Sequence, residues 1–434
     1  MRRRVVVTGR GTVTPHADDV GELFRQLSEG VSAVRRIASF DPEGLASQVA
    51  AEVRYEVSGP AEVGPYDLSP RAMRFATATA QRALAEAGIE ATDDPLLRAR
   101  RAVHMTIGVG STAMEALGPI TIKTWGAPDG EGARPMPEFR RAAAGEPGRI
   151  RVLEDWFVDQ AAPALACMMG ADRISSAASA CASGSHALFD AVNLIRLGRA
   201  DQVLAGGVCT PVTRSMMPGF AMLSALTTRN DDPAAASRPF DRDRDGFIMA
   251  EGCSLLVLEE LEHARKRGAT IYGEILGVGI ATDAYRLTDP EPTGRGMAAA
   301  MTGALADAGV AAERVDYVNA HGTSTKLNDA AETLAIKAAL GSRASEVAVS
   351  SSKSMFGHLI HAAGVTEAIV CLSSIEQGVV PPTINHEHPD PDCDLDYVPN
   401  EARDASVGMA LNNSFGFGGQ NVSVLLAGYD GSTP

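Results

Sequence analysis

The sequence predicts an α/β protein assembled from two copies of one structural unit. Short runs of β-branched residues alternate along the chain with alanine-rich helical patterns, and this alternation is typical of layered α/β folds. In chain order we predict a strand at 5–7, a helix at 71–88 closed by a glycine cap, a strand at 103–107, a helix at 186–197, and a strand at 203–205 that ends at Gly206 and Gly207. The cap follows from the preference for glycine just past the last turn of a helix.

A faint internal repeat indicates the duplication. Residues 83–89 read ALAEAGI, and residues 304–310 read ALADAGV. In each half there follow a strand ending in glycine and hydroxyl residues, a serine-rich junction with a helix, and a closing strand with a glycine pair. An ordered set of this kind indicates a repeated unit, although alanine-rich helices also resemble one another by chance. We therefore divide the chain into an N-terminal half, 1–268, and a C-terminal half, 269–434.

One segment of the first half has no evident counterpart in the second. Residues 209–268 are polar and carry the mixed-charge run RPFDRDRDG at 238–246. We predict an insertion packed beside the repeats. Mixed charges of this kind are more typical of a solvated ion-pair face than of a site.

Composition and charge exclude several classes of partner. The 434 residues carry a formal net charge of −15, which argues against nucleic acid or an anionic membrane surface as the main partner. No stretch approaches the ~20 apolar residues of a membrane helix, and the apolar run near the start is too short for a signal peptide. The six cysteines form no C-x-x-C pair, so we predict free thiols in a reducing, cytoplasmic compartment.

One cysteine stands in a setting that favours chemistry. Cys181 lies in SACASG at 179–184, between a short apolar run and an amphipathic helical pattern. At a strand-to-helix junction the unpaired N–H groups and the helix dipole favour a thiolate. Such an elbow predicts a nucleophile. On this hexapeptide alone, a buried and inert cysteine is an equal alternative.

Two histidines follow in glycine-rich settings. His321 lies in VNAHGTST at 318–325, where a strand delivers the imidazole at its carboxyl end, the edge at which sites collect in open α/β sheets. Thr323 and Thr325 alternate with it and are placed to hydrogen-bond a polar substrate arm. The alternative is a histidine satisfied in the core.

The second histidine, His358, lies five residues after Lys353 across a glycine. A buried lysine needs an anionic partner, and Glu367 on the following helical pattern is the candidate. His361 is predicted to be structural, because it falls on another face of that helix.

A phenylalanine-glycine loop completes the set. Phe415 and Phe417 are flanked by glycines, so one ring can gate a pocket and a backbone N–H can serve an oxyanion. A simple glycine-rich turn is the alternative. No metal-ligand spacing, dinucleotide fingerprint or P-loop occurs, so we predict no metal and no nucleotide cofactor.

Together these motifs resemble the β-ketoacyl-[acyl-carrier-protein] synthases of the thiolase-like superfamily, in the elongating, decarboxylating branch. The resemblance runs from Arg4 to Asn421. It is carried by six ordered motifs: ACASG at 180–184, TRND at 228–231, RPFD at 238–241, HGTST at 321–325, KSM at 353–355 with GH at 357–358, and NSFGFGG at 413–419. It implies a five-layer αβαβα sandwich of two duplicated halves.

The resemblance also implies a decarboxylative Claisen condensation without a resident cofactor. Cys181 would take an acyl chain as a thioester, and His321 and His358 would assist the loss of CO2 from malonyl on an acyl carrier protein. The enolate would attack the acyl thioester, giving a β-ketoacyl chain in fatty acid or polyketide biosynthesis. The supporting groups would be Lys353 with Glu367 beside the second histidine, the backbone N–H groups of Cys181 and Phe417 for the oxyanion, and Thr323 and Thr325 for the phosphopantetheine arm that arrives on the carrier.

Pocket and partner residues also follow from the resemblance. Phe415, Phe220 and Ser111 would contact the acyl substrate, and Arg71 and Arg74 match the basic helix that meets the acidic carrier. The chain would form a homodimer, or a heterodimer with a chain-length factor.

The sequence departs from the family pattern at three positions. Ser111 replaces a bulkier apolar residue of the acyl pocket, Lys326 replaces a common proline, and Ser224 replaces a common carrier-docking arginine. These changes leave the acyl group and the carrier open.

Three alternatives remain to be weighed. A thiolase would need a second cysteine in the C-terminal glycine loop, where this chain has Phe415 and Phe417. An initiating synthase would pair histidine with asparagine. A non-condensing, chain-length-setting subunit of a heterodimeric polyketide synthase usually lacks the nucleophile, and Cys181 is present here.

Overall fold

Ten strands form one large mixed sheet at the centre of the molecule. The computed structural model describes residues 2–107 and 160–431. Its strands are β1 (Val5–Val13), β2 (Arg35–Arg36), β3 (Val49–Ala50), β4 (Arg101–Ile107), β5 (Arg173–Ser175), β6 (Gln202–Cys209), β7 (Gly252–Glu260), β8 (Gly273–Thr282), β9 (Tyr317–Asn319), β10 (Ala348–Ser350), β11 (Val379–Val380), β12 (Arg403–Asp404), β13 (Met409–Gly416) and β14 (Gln420–Ala427). The order across the large sheet is β10-β9-β13-β14-β8-β1-β7-β6-β4-β5.

Helices cover both faces of this sheet and fill the space between its halves. In the described residues they are α1 (Val20–Ser28), α2 (Arg71–Ala87), α3 (Pro95–Arg98), α4 (Ala161–Met169), α5 (Ser183–Arg196), α6 (Met216–Met222), α7 (Leu261–Lys266), α8 (Arg295–Ala308), α9 (Lys326–Leu340), α10 (Lys353–Phe356) and α11 (Ala363–Gln377). Among these residues, no helix has the length and apolar character that a membrane crossing requires.

The sheet consists of two five-stranded units with the same pairing pattern. In the first unit β1 and β6 pair antiparallel to β7, and β4 lies parallel to β6 and β5. In the second unit β8 and β13 pair antiparallel to β14, and β9 lies parallel to β13 and β10. A short antiparallel contact between β1 and β8 joins them. The predicted duplication is confirmed, whereas the boundary at residues 268 and 269 stays a prediction.

The layers follow from where each helix buries its apolar side chains. Helices α5 and α11 lie between the two units, where Leu188, Val192, Val365 and Ile369 belong to one buried apolar cluster. Helices α2 and α4 pack on the outer face of the first unit, and α8 and α9 pack on that of the second. The predicted five-layer αβαβα sandwich is therefore confirmed.

Several element boundaries differ from the sequence prediction, and the strand predicted at 5–7 extends to Val13. The helix predicted at 186–197 begins at Ser183, directly after the nucleophile turn. The strand predicted to end at the glycine pair continues to Cys209. Gly207 does not stop this strand but allows a close approach: a Cβ there would lie 2.3 Å from the carbonyl oxygen of His361.

Only part of the segment 209–268 is an insertion. Residues 252–260 form β7, a core strand whose counterpart is β14. The mixed-charge run is not a solvated face, because Arg238, Asp241 and Arg244 are buried. Carbonyl groups and carboxylates compensate the two arginines, and backbone N–H groups together with Arg238 compensate Asp241. The prediction of a surface ion-pair face was therefore wrong for these three residues, whereas Arg242 pairs with Asp243 at the surface.

Candidate active site

Cys181 lies on a tight turn that runs directly into α5. The turn is a single 3-10 element, Ala180–Ala182, and the helix begins at Ser183. Ala180 has a φ of 48°, in the left-handed region that a side chain rarely adopts. The hydroxyl of Ser183 donates to the carbonyl of Ala180 at 2.6 Å and accepts from the N–H of Ser179 at 2.9 Å. These bonds hold the strained turn and fix the direction of the thiol.

Three reactive groups meet at this turn. The sulfur of Cys181 and a ring nitrogen from each of His321 and His358 all lie within 4.8 Å of one another. The two imidazole rings stand nearly perpendicular, with centroids 5.3 Å apart. The structure thus brings together the predicted nucleophile from the first half and both predicted histidines from the second.

The hydrogen bonds of His358 fix its tautomer. Its Nδ1 accepts from the backbone N–H of Ile360 at 3.2 Å. A backbone N–H can only donate, so the proton of the neutral ring sits on Nε2. Nε2 is buried without a partner among the described residues, which leaves its N–H free to donate to a substrate oxygen.

A buried glutamate holds the loop that carries His321. The backbone N–H groups of His321 and Gly322 each donate to a different oxygen of Glu332, both at 2.8 Å. Burial raises the pKa of Glu332 to about 7 despite these two donors. Sequence reasoning missed Glu332, whose only signal is a glutamate on the inner face of α9, eleven residues after the histidine.

The predicted ion pair between Lys353 and Glu367 is present and fully buried. Burial raises the pKa of Glu367 to about 7, and the ammonium beside it opposes this rise. Burial together with the charge of Lys353 lowers the pKa of both His321 and His358 well below their ordinary value. Both imidazoles are therefore neutral at neutral pH.

The pKa of Cys181 moves opposite to the sequence prediction. Burial raises the pKa of the thiol to about 11, although the N–H of Phe417 and the charge of Lys353 both favour the thiolate. The prediction that the helix start lowers this pKa was wrong in its net direction, because the loss of hydration outweighs the nearby donors. The buried sulfur of Cys181 is therefore a thiol at neutral pH.

The phenylalanine-glycine loop closes over the nucleophile. The N–H of Phe417 donates to the sulfur of Cys181, and the ring of Phe415 meets His321 edge-on at 5.9 Å. A Cβ at Gly416 would lie 2.8 Å from the carbonyl oxygen of Ser179. Glycine at this position is what lets the loop approach the turn.

These groups face one cavity of about 220 Å³. Thr323 and Thr325 line its wall, with their hydroxyl oxygens 2.9 Å apart. Leu223 and Leu327 line it and are also exposed to solvent. Ser224, Thr288 and Lys326 are further exposed lining residues, so the cavity reaches the surface among these side chains, with Cys181 in its lining.

The remaining predicted pocket residues lie differently. Phe220 does not line the cavity but meets Phe247 edge-on at 6.0 Å, and Phe247 in turn meets His358 at 5.1 Å. Phe220 also packs against the apolar cluster that contains Cys181. Ser111 lies outside the described residues.

The predicted docking arginines are engaged within the chain. Arg71 donates to Glu251 at 2.8 Å and to the carbonyl of Val53 at 2.7 Å. Arg74 donates to the carbonyl of Ser69 at the start of its own helix. Neither lines the cavity, and their role toward a carrier stays a prediction.

Arg244 supports the threonine loop and was missed in the sequence. Its guanidinium donates to the carbonyls of Thr325 at 3.1 Å and Lys326 at 3.0 Å, and it pairs with Asp390 at 2.5 Å. The alternating charges of the run gave no signal that this member is buried.

Within residues 2–107 and 160–431, two groups of side chains have the donor types of a metal site. Cys181, His321 and His358 offer the ligands that zinc prefers, but the charge of Lys353 beside them opposes a further cation. Asp241, Asp243 and His388 also converge. There Asp241 already accepts backbone N–H groups of Asp243 and His388, so this group serves as a loop clamp.

A buried thiol, two neutral imidazoles and a backbone donor on a duplicated α/β fold define a thiolase-like, acyl-transferring enzyme. Family models agree: "Beta-ketoacyl synthase, N-terminal domain" matches residues 2–264, and "Beta-ketoacyl synthase, C-terminal domain" matches residues 272–387. The chain belongs to the β-ketoacyl synthase family.

Comparison with individual relatives indicates which reaction within this family the chain catalyses. The chain is 40% identical to a 3-oxoacyl-[acyl-carrier-protein] synthase 2 of Coxiella burnetii, over 98% of this chain and 99% of the relative. It is 38% identical to the ketoacyl synthase alpha subunit of the tetracenomycin polyketide synthase of Streptomyces glaucescens, over 98% and 97%. A type II polyketide ketosynthase solved with its acyl-carrier protein and bound to the hexaketide superposes with a TM-score of 0.85 at 32% identity, over 99% of this chain and 100% of that one. The protein is a condensing acyltransferase, and the non-condensing alternative fits these findings less well.

Proposed function

We propose that this protein lengthens an acyl chain by decarboxylative condensation with a malonyl group carried on an acyl carrier protein. The observation that carries the proposal is the meeting of one thiol and two neutral imidazoles within 4.8 Å. Cys181 forms the acyl-enzyme. His321 and His358 stabilise the negatively charged oxygen that develops on the malonyl substrate. No cofactor resides in the protein, because the reactive thioesters arrive on the phosphopantetheine arm of the carrier.

The first step transfers the acyl group to the enzyme. The sulfur of Cys181 attacks the thioester carbonyl, a C–S bond to the enzyme forms, and the C–S bond to the carrier breaks. The carrier thiol leaves with the proton that Cys181 gives up. The N–H groups of Cys181 and Phe417 face the developing oxyanion, and each such donor is worth roughly 3–4 kcal/mol.

The second step removes CO2 from the malonyl group. The bond between the carboxylate and the methylene carbon breaks, and its electron pair passes into an enolate. The N–H at Nε2 of His358 donates to the thioester oxygen, on which the enolate charge accumulates. His321 stands beside it as a second neutral ring. Neutral imidazoles suit this role because they lose no proton to the enolate and do not hold the departing carboxylate.

The third step forms the new carbon–carbon bond. The enolate carbon attacks the acyl thioester on Cys181, the C–S bond breaks, and the sulfur leaves as a thiolate that takes up one proton from solvent. The product is a β-ketoacyl-carrier two carbons longer than the acyl group. Thr323 and Thr325 hydrogen-bond the pantetheine amides during this step, because they line the same cavity as Cys181.

Reconstitution tests the proposal directly. The protein is incubated with an acyl-carrier and a malonyl-carrier, and both CO2 and the carrier mass are followed. We expect CO2 and β-ketoacyl-carrier in equal amounts. If an acyl-loaded enzyme neither releases CO2 nor forms product with a panel of acyl chains, the proposed function is wrong.

The proposal extends to the oligomeric state of the protein. We propose a dimer, with a second copy of this chain or with a chain-length factor as the partner. Co-expression with candidate partners followed by mass measurement in solution distinguishes the two, and a stable, active monomer would contradict both.

A further inference from the structure

His361 lies next to the nucleophile turn but outside the cavity described above. A Cβ at Gly184, in the first turn of α5, would lie 2.9 Å from the carbonyl oxygen of His361. Ile360, the residue before His361, belongs to the same apolar cluster as Cys181. The lining of the cavity includes Cys181 but not His361. The histidine therefore borders the nucleophile turn from a second direction.

The contacts of His361 fix which ring nitrogen carries the proton. Its Nδ1 lies 3.4 Å from the sulfur of Cys209, and that sulfur accepts from the backbone N–H groups of His361 and Thr210. Because the sulfur already accepts these two hydrogen bonds, it is the thiol hydrogen that points at Nδ1. Burial raises the pKa of the Cys209 thiol to about 12 and lowers the pKa of the His361 imidazole to about 4, so both groups are neutral at neutral pH. The proton of the neutral ring then sits on Nε2.

Within the part of the chain that the structure describes, Nε2 of His361 is an N–H donor without an acceptor. The side chain is partly exposed, whereas Cys209 behind it is buried. The ring is held through Nδ1, and its backbone is held by the hydroxyl of Thr106, which donates to the carbonyl of His361 at 3.5 Å. A donor fixed in this way loses little conformational freedom when it binds a ligand oxygen.

The acyl group on the nucleophile has to lie outside the cavity that the arm occupies. In the proposed reaction the acyl group stays on Cys181 while the arm of the malonyl-carrier enters the cavity of about 220 Å³, and the two cannot fill the same space. The apolar cluster around Cys181 offers the other direction, with Met217, Ile360 and the partly buried Phe220 among its members. An acyl chain among these side chains passes beside His361.

We propose that the N–H at Nε2 of His361 selects acyl groups that carry an oxygen along the chain, as a ketone or a hydroxyl, over fully saturated chains. This inference rests on the proposed function and names its class of acyl substrate. A saturated chain that covers the donor leaves it buried and unpaired, which costs free energy. A chain with an oxygen opposite Nε2 restores the hydrogen bond, and this difference is what a site uses to reject the analogue that lacks the polar group.

Acylation of Cys181 tests the inference before any condensation takes place. The wild type is incubated with octanoyl, hydroxyoctanoyl and oxo-octanoyl pantetheine thioesters, with the oxygen at each chain position in turn, and a time course of intact mass gives each acylation rate. For an oxygen at one favoured position we expect acylation about tenfold faster than with octanoyl, the upper range of what one neutral hydrogen bond contributes. Ketone and hydroxyl should both show this preference, because both accept from an N–H. No preference at any position would overturn the inference, and so would a preference for the hydroxyl alone, which would make the ring an acceptor.

Variants assign the preference to this ring. In His361→Leu the oxygenated and saturated chains should react at about equal rates, whereas His361→Gln keeps an N–H donor and should retain part of the preference. The matched control is His263→Leu on α7, which removes another histidine that is hydrogen-bonded through Nδ1 and should leave the ratio of rates unchanged. If His361→Leu slows all chains equally, the role of His361 is structural and the inference is wrong. If that variant does not fold, His361→Gln and the wild-type panel decide the question.

Condensation is measured separately, so that the two proposals fail in different ways. If Cys181 takes up acyl groups with the expected preference but neither CO2 nor β-ketoacyl-carrier forms, the proposed function fails and the selection by His361 stands. If condensation proceeds equally well with saturated and oxygenated chains, the proposed function stands and the selection by His361 fails.

Discussion

His361 occupies in the C-terminal half the position that Cys181 occupies in the N-terminal half. Each is the middle residue of a 3-10 turn that leads into an inner helix, and each follows a residue with a left-handed φ, 48° at Ala180 and 47° at Ile360. The Nδ1 of His361 lies 3.4 Å from the sulfur of Cys209. The first of these two pseudo-symmetric turns presents Cys181 to the cavity. The second places the ring of His361 against the buried thiol of Cys209.

Because only the N-terminal turn carries a thiol that faces the cavity, we expect removal of Cys181 to stop acyl transfer without stopping decarboxylation. In Cys181→Ala the acyl group has no acceptor, but both histidines and their neutral charge state are retained. We expect CO2 release from malonyl-carrier to continue while no β-ketoacyl-carrier forms, as measured by CO2 trapping and carrier mass. Cys209→Ala is the matched control and should still load one acyl group per chain. Normal condensation by Cys181→Ala would refute the role of this cysteine.

Loss of the donor at His358 should stop decarboxylation. In His358→Asn no N–H occupies the position of Nε2, so the enolate oxygen loses a preorganised donor, at a cost of roughly 10²–10³ in rate. The readout is the single-turnover rate of CO2 release from acyl-loaded enzyme. His361→Asn, three residues further on and outside the cavity lining, should change this rate little. Equal effects of the two variants would contradict the assignment.

The pH dependence of decarboxylation follows from the burial of the two histidines and from the charge of Lys353 beside them. Their pKa values lie well below the ordinary 6.5, so both rings stay neutral as the pH falls from 8 to 6 and the rate should be flat there. Protonation, and loss of rate, begins only below this window. In Lys353→Met with Glu367→Gln the positive charge is gone, the imidazole pKa values rise, and the acid limb should move to higher pH. An unmoved limb would show that Lys353 does not set these pKa values.

Arg244 should contribute to stability through its buried contacts. Arg244→Gln leaves Asp390 and Asp329 without their cation, and breaking such a buried pair costs about 3–5 kcal/mol. Chemical denaturation measures the change in the free energy of unfolding. Arg229→Gln, which removes a more exposed guanidinium with a 3.8 Å contact to Asp245, should cost about 1 kcal/mol or less. If both variants lose a similar amount of unfolding free energy, Arg244 does not anchor the loop that carries Thr325 and Lys326.

Much of the fold and site could be predicted because it depends on local patterns. The alanine-rich repeat marks α2 and α8, and the SACASG hexapeptide marks the turn before α5. The glycine-flanked histidines and phenylalanines mark the ends of elements at one sheet edge. Such signals are short, and residues close in sequence decide them.

The contacts that could not be predicted join residues far apart in the chain. Glu332 holds the His321 loop, Arg244 holds the threonine loop, and Cys209 meets His361. None of these residues has a local pattern that distinguishes it from a surface charge or a packing cysteine. Burial of Arg244 within the RDRD run likewise depends on partners contributed by the other half.

By itself, the sequence determined which groups can react and in what fold they are set, because nucleophile, imidazoles and lysine each stand in a recognisable local motif. Only the tertiary structure decided their charge states. It buries Cys181 so that the pKa of its thiol rises, and it buries two imidazoles beside Lys353 so that their pKa values fall. Desolvation and Coulomb interactions depend on everything packed around a group, and that environment is assembled from both halves of the chain.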